Sequence, residues 1–209
     1  MKFGRALWSV GSLLTIGTIL IVQYLWSLSP ATGLVDRCAY IQENWDVFGP
    51  TYRIESLLTA MVAAGSFYFA TRTREVGWAV VAVAQLLLLC AYPVRFAGFT
   101  SSSPELITLA HSIATEVTLL GFLLFMAGLI QIYLTAEGLP SWVRFPAVGL
   151  AAIAMLGFAA GYFGVLAASQ AWLVFPALVL LYLLNSYYGL VVSLSRRGSV
   201  RRSSSRSVA

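Results

Sequence analysis

Charge is what this chain has least of. Among 209 residues there are eight acidic and thirteen basic side chains, so 10% of the sequence is charged against 59% hydrophobic, and polar linkers are almost absent. That balance excludes an ordinary water-soluble domain and points to a protein held largely in lipid. There is one histidine, which excludes a bis-histidine haem and an intramembrane zinc site with the usual two or three imidazoles. The two cysteines, Cys38 and Cys90, lack Cys-x-x-Cys or metal-ligand spacing, which leaves a disulfide between them as the one cysteine chemistry open. No nucleophile elbow, phosphate loop or dinucleotide fingerprint occurs, so the sequence implies no cofactor and leans away from an enzyme. The net charge of +5 resembles a nucleic-acid signal but is a tail effect, because Arg196, Arg197, Arg201, Arg202 and Arg206 all lie in the last fourteen positions. No nucleic-acid partner is expected.

What the chain does have is long apolar runs. A membrane helix needs about 20 apolar residues, and six segments qualify: residues 6–28, 51–70, 76–96, 104–135, 143–168 and 173–194. The expected fold is therefore all-α, a polytopic bundle of six transmembrane helices, spanning residues 1–195. Residues 196–209 are serine-rich without apolar periodicity and are expected to form a disordered basic tail drawn to anionic lipid headgroups. Lysine and arginine resist translocation. With the N-terminus inside, the inner side holds ten of them and the outer side only Arg37, Arg53 and Arg95, so both termini are expected in the cytoplasm.

Local signals place the elements. Ser103, Pro104 and Glu105 form a cap, a first helical position and a first-turn acid for the fourth span. Residues Ser29 to Pro50 mix charges with Tyr40, Ile41, Trp45 and Phe48, which suits a short interfacial segment or cap. Thr71 to Glu75 is a tight turn that makes the second and third spans a hairpin, and Pro93 should kink the third just before Arg95. On the fifth span Ala154, Gly157, Gly161, Gly164 and Ala168 recur at spacings of three and four. Such a seam lets another helix approach closely, within the chain or from another membrane protein.

One constellation carries possible chemistry. Counting residues inward from the span ends puts Arg53, Glu55, Arg95, His111 and Glu116 at about the same outer level. An ionisable group at such depth is a functional candidate by default. Glu116 shares a polar arc with His111, Ser112, Thr115 and Thr118, and is expected to pair with Arg95 or Arg53. Two readings follow: the charges pair and close the outer end of the bundle, or they form an outward-facing pocket for a small ligand, proton or lipid headgroup. Polar residues on the fourth span stop at Thr118, which weighs against a path through the membrane.

Arg53 with Glu55 opening the second span, and Gly138-Leu139-Pro140 followed by Arg144 and Gly149 at the fifth, resemble an uncharacterised family of bacterial six-helix membrane proteins. The resemblance implies only the helical layout, with no activity to carry over; the expected location is a prokaryotic cytoplasmic membrane. The expected function is that of a structural or accessory membrane subunit; the alternative is a small-ligand or proton-handling protein built on Glu55, Arg95, His111 and Glu116.

Overall fold

A computed structural model describes residues 3–29, 33–136, 139–165 and 174–204, with side chains through residue 191. Its elements are α1 (Phe3–Ser27), α2 (Leu34–Glu43), α3 (Trp45–Thr73), α4 (Val76–Phe99), α5 (Pro104–Thr135), α6 (Ser141–Tyr162) and α7 (Phe175–Ser204), and no strand occurs among the described residues. Five of them, α1, α3, α4, α5 and α6, are long and apolar enough to cross a membrane, and α7 is apolar over Phe175–Val191. The all-helical, membrane-type reading of the sequence therefore holds.

The six long helices close into a ring. α1 packs on α3, α3 on α4, α4 on α5, α5 on α6, α6 on α7, and α7 returns to α1. Neighbours run antiparallel: Trp8 on α1 meets Val62 and Gly65 on α3 at one end, while Trp26 Nε1 donates to Tyr52 Oη at 3.0 Å at the other. α2 lies across α3, α4 and α5 at that second end and caps it. The side chain of Gln42 ties the cap down by donating to the Ser101 carbonyl at 2.6 Å.

Lipid-type burial explains why these sequences pack this way. On α1 the buried face is Gly4, Trp8, Ser9, Gly11, Ser12, Thr15 and Thr18, whereas Val10, Leu13, Leu14, Leu20 and Ile21 point outward. The helix is inside-out relative to a soluble one, as expected where hydrocarbon replaces water and close packing replaces hydrophobic exclusion. Local stops follow the chemistry as well. Ser103 Oγ accepts from Leu106 N at 3.3 Å with Pro104 behind it, and Arg74 takes a left-handed φ of 60° in the turn between α3 and α4.

Several boundaries differ from the sequence reading. α3 starts at Trp45 and contains Pro50, and α4 runs through Pro93 to Phe99. Proline removes one backbone bond but is tolerated in membrane helices whose neighbours compensate. α6 ends at Tyr162, where Gly164 turns the chain with a φ of 69°. The helical backbone of α7 continues to Ser204 through the basic stretch; residues 205–209 and Ala168 lie outside the described residues. Both cysteines are free, Cys38 on the buried face of α2 and Cys90 exposed on α4.

Burial also pushes the Cys38 thiol above its ordinary pKa, so the reactive thiolate is scarce at neutral pH. In a Cys90→Ser background, Cys38 should react with maleimide far more slowly than a free thiol. Its rate should still be climbing above pH 9, where an ordinary thiol levels off. A rate that levelled off near pH 8.5 would place Cys38 in water.

Candidate functional site

Two cavities lie at the capped end of the ring and Arg95 lines both. α4 delivers it there because Gln85, Tyr92 and Arg95 follow one another at spacings of seven and three, which keeps them on one helical stripe. Arg95 Nη2 donates to Thr118 Oγ1 at 2.9 Å, and Thr118 in turn donates to the Ala114 carbonyl at 2.6 Å. α5 thereby holds the guanidinium at the junction of the two spaces.

The deeper cavity, about 100 Å³, is enclosed by side chains from five helices, including Thr15 of α1, Glu55 and Thr59 of α3, Tyr92 of α4, Thr118 of α5 and Tyr182 of α7. Glu55 is its one acidic wall residue. Its Oε2 is enclosed and has no hydrogen-bond partner, while the charge of Arg95 and the hydroxyl of Tyr92 face it. Thr59 Oγ1 and Tyr92 Oη stand 3.4 Å apart.

The outer cavity, about 140 Å³, sits under the cap. Arg37 of α2, Arg95 of α4 and His111 of α5 line it together with Trp26, Tyr52 and Phe99, and no carboxylate does. The Arg37 guanidinium lies 5.7 Å from the Trp26 ring centroid. His111 is exposed at the cavity rim and feels the charges of both arginines.

Three of the five sequence candidates are thus brought together: Arg95 joins Glu55 on one side and His111 on the other. Arg53 and Glu116 are exposed and line neither cavity. The expected partnership of Glu116 with Arg95 is not made, because Thr118 takes the guanidinium. The reason is helical geometry. Glu116 is two residues from Ala114, about 200° around the helix, and Ala114 is the residue α5 buries, at 1% exposure. The polar arc was read correctly as an arc, but the bundle sits against one edge of it and Glu116 is at the other.

Tyr92, Tyr182, Tyr52, Trp26 and Arg37 were not singled out from the sequence. The heptad stripe on α4 was a legible signal for Tyr92; α7's contribution needed the ring closure, which no local pattern records. Among the described residues no cluster of three or more potential metal ligands exists. No protein-family model, no curated protein and no solved structure matches this chain.

Proposed function

We propose that the chain is a six-span protein of a prokaryotic cytoplasmic membrane, with both termini on the cytoplasmic side, that binds a small organic anion in the cavity under α2. The observation that carries this reading is the wall itself: two guanidinium groups and an imidazole line one space, and no carboxylate lines it. Cationic and donor side chains lining one space favour an anion, and arginine suits a carboxylate or phosphate in particular. Trp26, Tyr52 and Phe99 add aromatic walls for an apolar body. A volume of about 140 Å³ compares with the roughly 150 Å³ apolar cavity that accommodates benzene. An aromatic or short-chain monocarboxylate is the size and charge that fit.

The experiment is a comparison of isosteres. Benzoate should raise the melting temperature of the detergent-purified protein, and neutral benzyl alcohol should do so much less at equal concentration, since only the carboxylate engages the arginines. Equal shifts would contradict the anion site.

The topology rests on the ten-to-three distribution of lysine and arginine, and the packing of α7 on α1 beside the other long helices supports counting α7 as a sixth span. Glu43 is exposed on the cap. Glu43→Cys, with both native cysteines replaced, should be labelled by a membrane-impermeant maleimide in intact cells. Labelling only after permeabilisation would reverse the orientation.

The accessory-subunit reading has one observation in its favour. Near the end of α6 an added methyl at Gly161 would meet nothing closer than a Leu119 carbon at 3.8 Å, and one at Gly164, just past the helix, would meet nothing within 4 Å. A helix of another membrane protein would find room there.

A further inference from the structure

Beneath Glu55 a line of polar side chains continues between the helices, beside an aromatic and aliphatic core. Gln85 of α4 faces the Tyr182 hydroxyl of α7, and Asn185 follows Tyr182 by one turn, about 4.5 Å of rise. Asn185 Oδ1 accepts from Tyr133 Oη at 2.9 Å, and the Tyr133 ring lies against that of Tyr188, with Arg5 and Glu75 facing Tyr188 at the uncapped end. Ser9 and Ser12 of α1 are buried as well, Ser9 against Gly189 of α7. From Arg95 to Glu75 the line follows α4 for twenty residues, about 30 Å, which is the thickness of a bilayer's hydrocarbon core.

The burial is deep and incompletely satisfied. Asn185 and Ser12 are 0% exposed and Gln85 is 1% exposed. Ser9 Oγ, Ser12 Oγ, Gln85 Nε2, Asn185 Nδ2 and Glu55 Oε2 all lack a protein hydrogen-bond partner. Leaving one such group dry costs about 1–3 kcal/mol, and five within one bundle is a pattern that internal water resolves. Meanwhile Trp8, Phe69 and Trp78 stack across the uncapped half with ring centroids 4.3–6.4 Å apart, so the core there is filled. A solute needs a lumen; a proton needs only successive hydrogen-bonding groups.

We propose that this line is a proton path, in which Glu55 takes a proton at the capped end and passes it through internal water and the hydroxyls of Tyr182 and Tyr133 to the uncapped end, with the amides of Gln85 and Asn185 holding those groups in hydrogen-bonding order. The proposal does not rest on the anion site, which lies on the other side of Arg95. Glu55 is the entry group because it is the one carboxyl on the deeper cavity. The titratable groups facing it are Arg95 and Tyr92 of α4, Tyr182 of α7 and Tyr52 of its own helix. Glu55 balances the Arg95 charge that would otherwise repel a cation at the entrance. The proton gained by Glu55 from the outer water is the proton released at the far end, so no co-reactant is consumed.

The test uses the full chain in phospholipid vesicles loaded with potassium and a pH-sensitive dye, with valinomycin setting an inside-negative potential. The lumen should acidify at least fivefold faster than in protein-free vesicles. Glu55→Gln and Gln85→Leu should each fall to within twofold of the protein-free rate, while Glu116→Gln, on the outward face of α5, keeps the wild-type rate. Each variant is scored by its melting temperature, and Gln85→Glu, which restores a hydrogen-bonding group of the same length, should recover flux where Gln85→Leu does not. Wild-type flux no faster than protein-free vesicles, or equal flux in Glu55→Gln and wild type, overturns the proposal.

Discussion

Gly128→Leu is expected to lower the melting temperature of the detergent-solubilised protein by roughly 6–12 °C, as a core over-packing of about 3 kcal/mol would in a chain of this size. A Cβ at Gly128 would stand 2.9 Å from the Gly77 carbonyl oxygen and 3.1 Å from Val81 N, and one at Gly77 would stand 3.0 Å from the Gly128 carbonyl. These are backbone atoms, so the clash is relieved only by parting α4 from α5. Gly161→Leu serves as the control, since its neighbourhood is open. It should leave the melting temperature within about 2 °C of wild type, the size of an ordinary surface change. If the two variants behaved alike, the α4–α5 contact would not be where the structure puts it.

Trp8→Ala should be the costliest single truncation, at about 3–5 kcal/mol. The indole is 1% exposed, packs on Trp78 with centroids 4.9 Å apart, and donates through Nε1 to the Asn185 carbonyl at 2.9 Å. It therefore joins α1 to α4 and to α7 at once, and its removal opens the ring at the seam between first and last helices. Trp8→Phe keeps most of the ring contact and loses the hydrogen bond, so it should cost about 1 kcal/mol beyond the smaller side chain's lost packing. Reversible unfolding in mixed micelles measures both. A Trp8→Ala cost below about 1 kcal/mol, the level of a surface change, would mean that α7 does not close on α1 through this residue.

The contrast between Gly128 and Gly161 shows what a single chain discloses. The sequence advertised Gly161 through its regular spacing with Gly157 and Gly164, yet Gly157 alone of the three meets a close neighbour, Val174. Gly128 and Gly77 stand in different helices with no shared spacing, and only the packing of α4 against α5 brings them together. Helix existence was legible because about 20 apolar residues in lipid have few alternatives. Boundaries were less so, since Pro50 looks like the end of a loop and lies inside α3. Depth arithmetic grouped Arg95, Glu55 and His111, and these line two adjoining cavities at the capped end. It could not fix rotation: whether an arc's left or right edge faces the bundle depends on where the neighbouring helix lies, and that is why Glu116 was placed with Arg95 and Thr118 holds it instead. The polar line was hidden for the same reason, since α4, α5 and α7 contribute polar residues that look isolated along the chain.

The most direct test of the account is the binding isotherm of benzoate on the purified full chain, followed by calorimetry or by the fluorescence of Trp26, which lines the outer cavity. Wild-type protein should bind saturably at one site per chain. Arg95→Leu should weaken binding by about 10- to 100-fold, the worth of one charge-assisted hydrogen bond of about 1.5–3 kcal/mol, whereas Glu116→Gln should leave it unchanged. Benzoate bound equally well by wild type and Arg95→Leu, or bound by neither, would contradict the assignment of the outer cavity as an anion site.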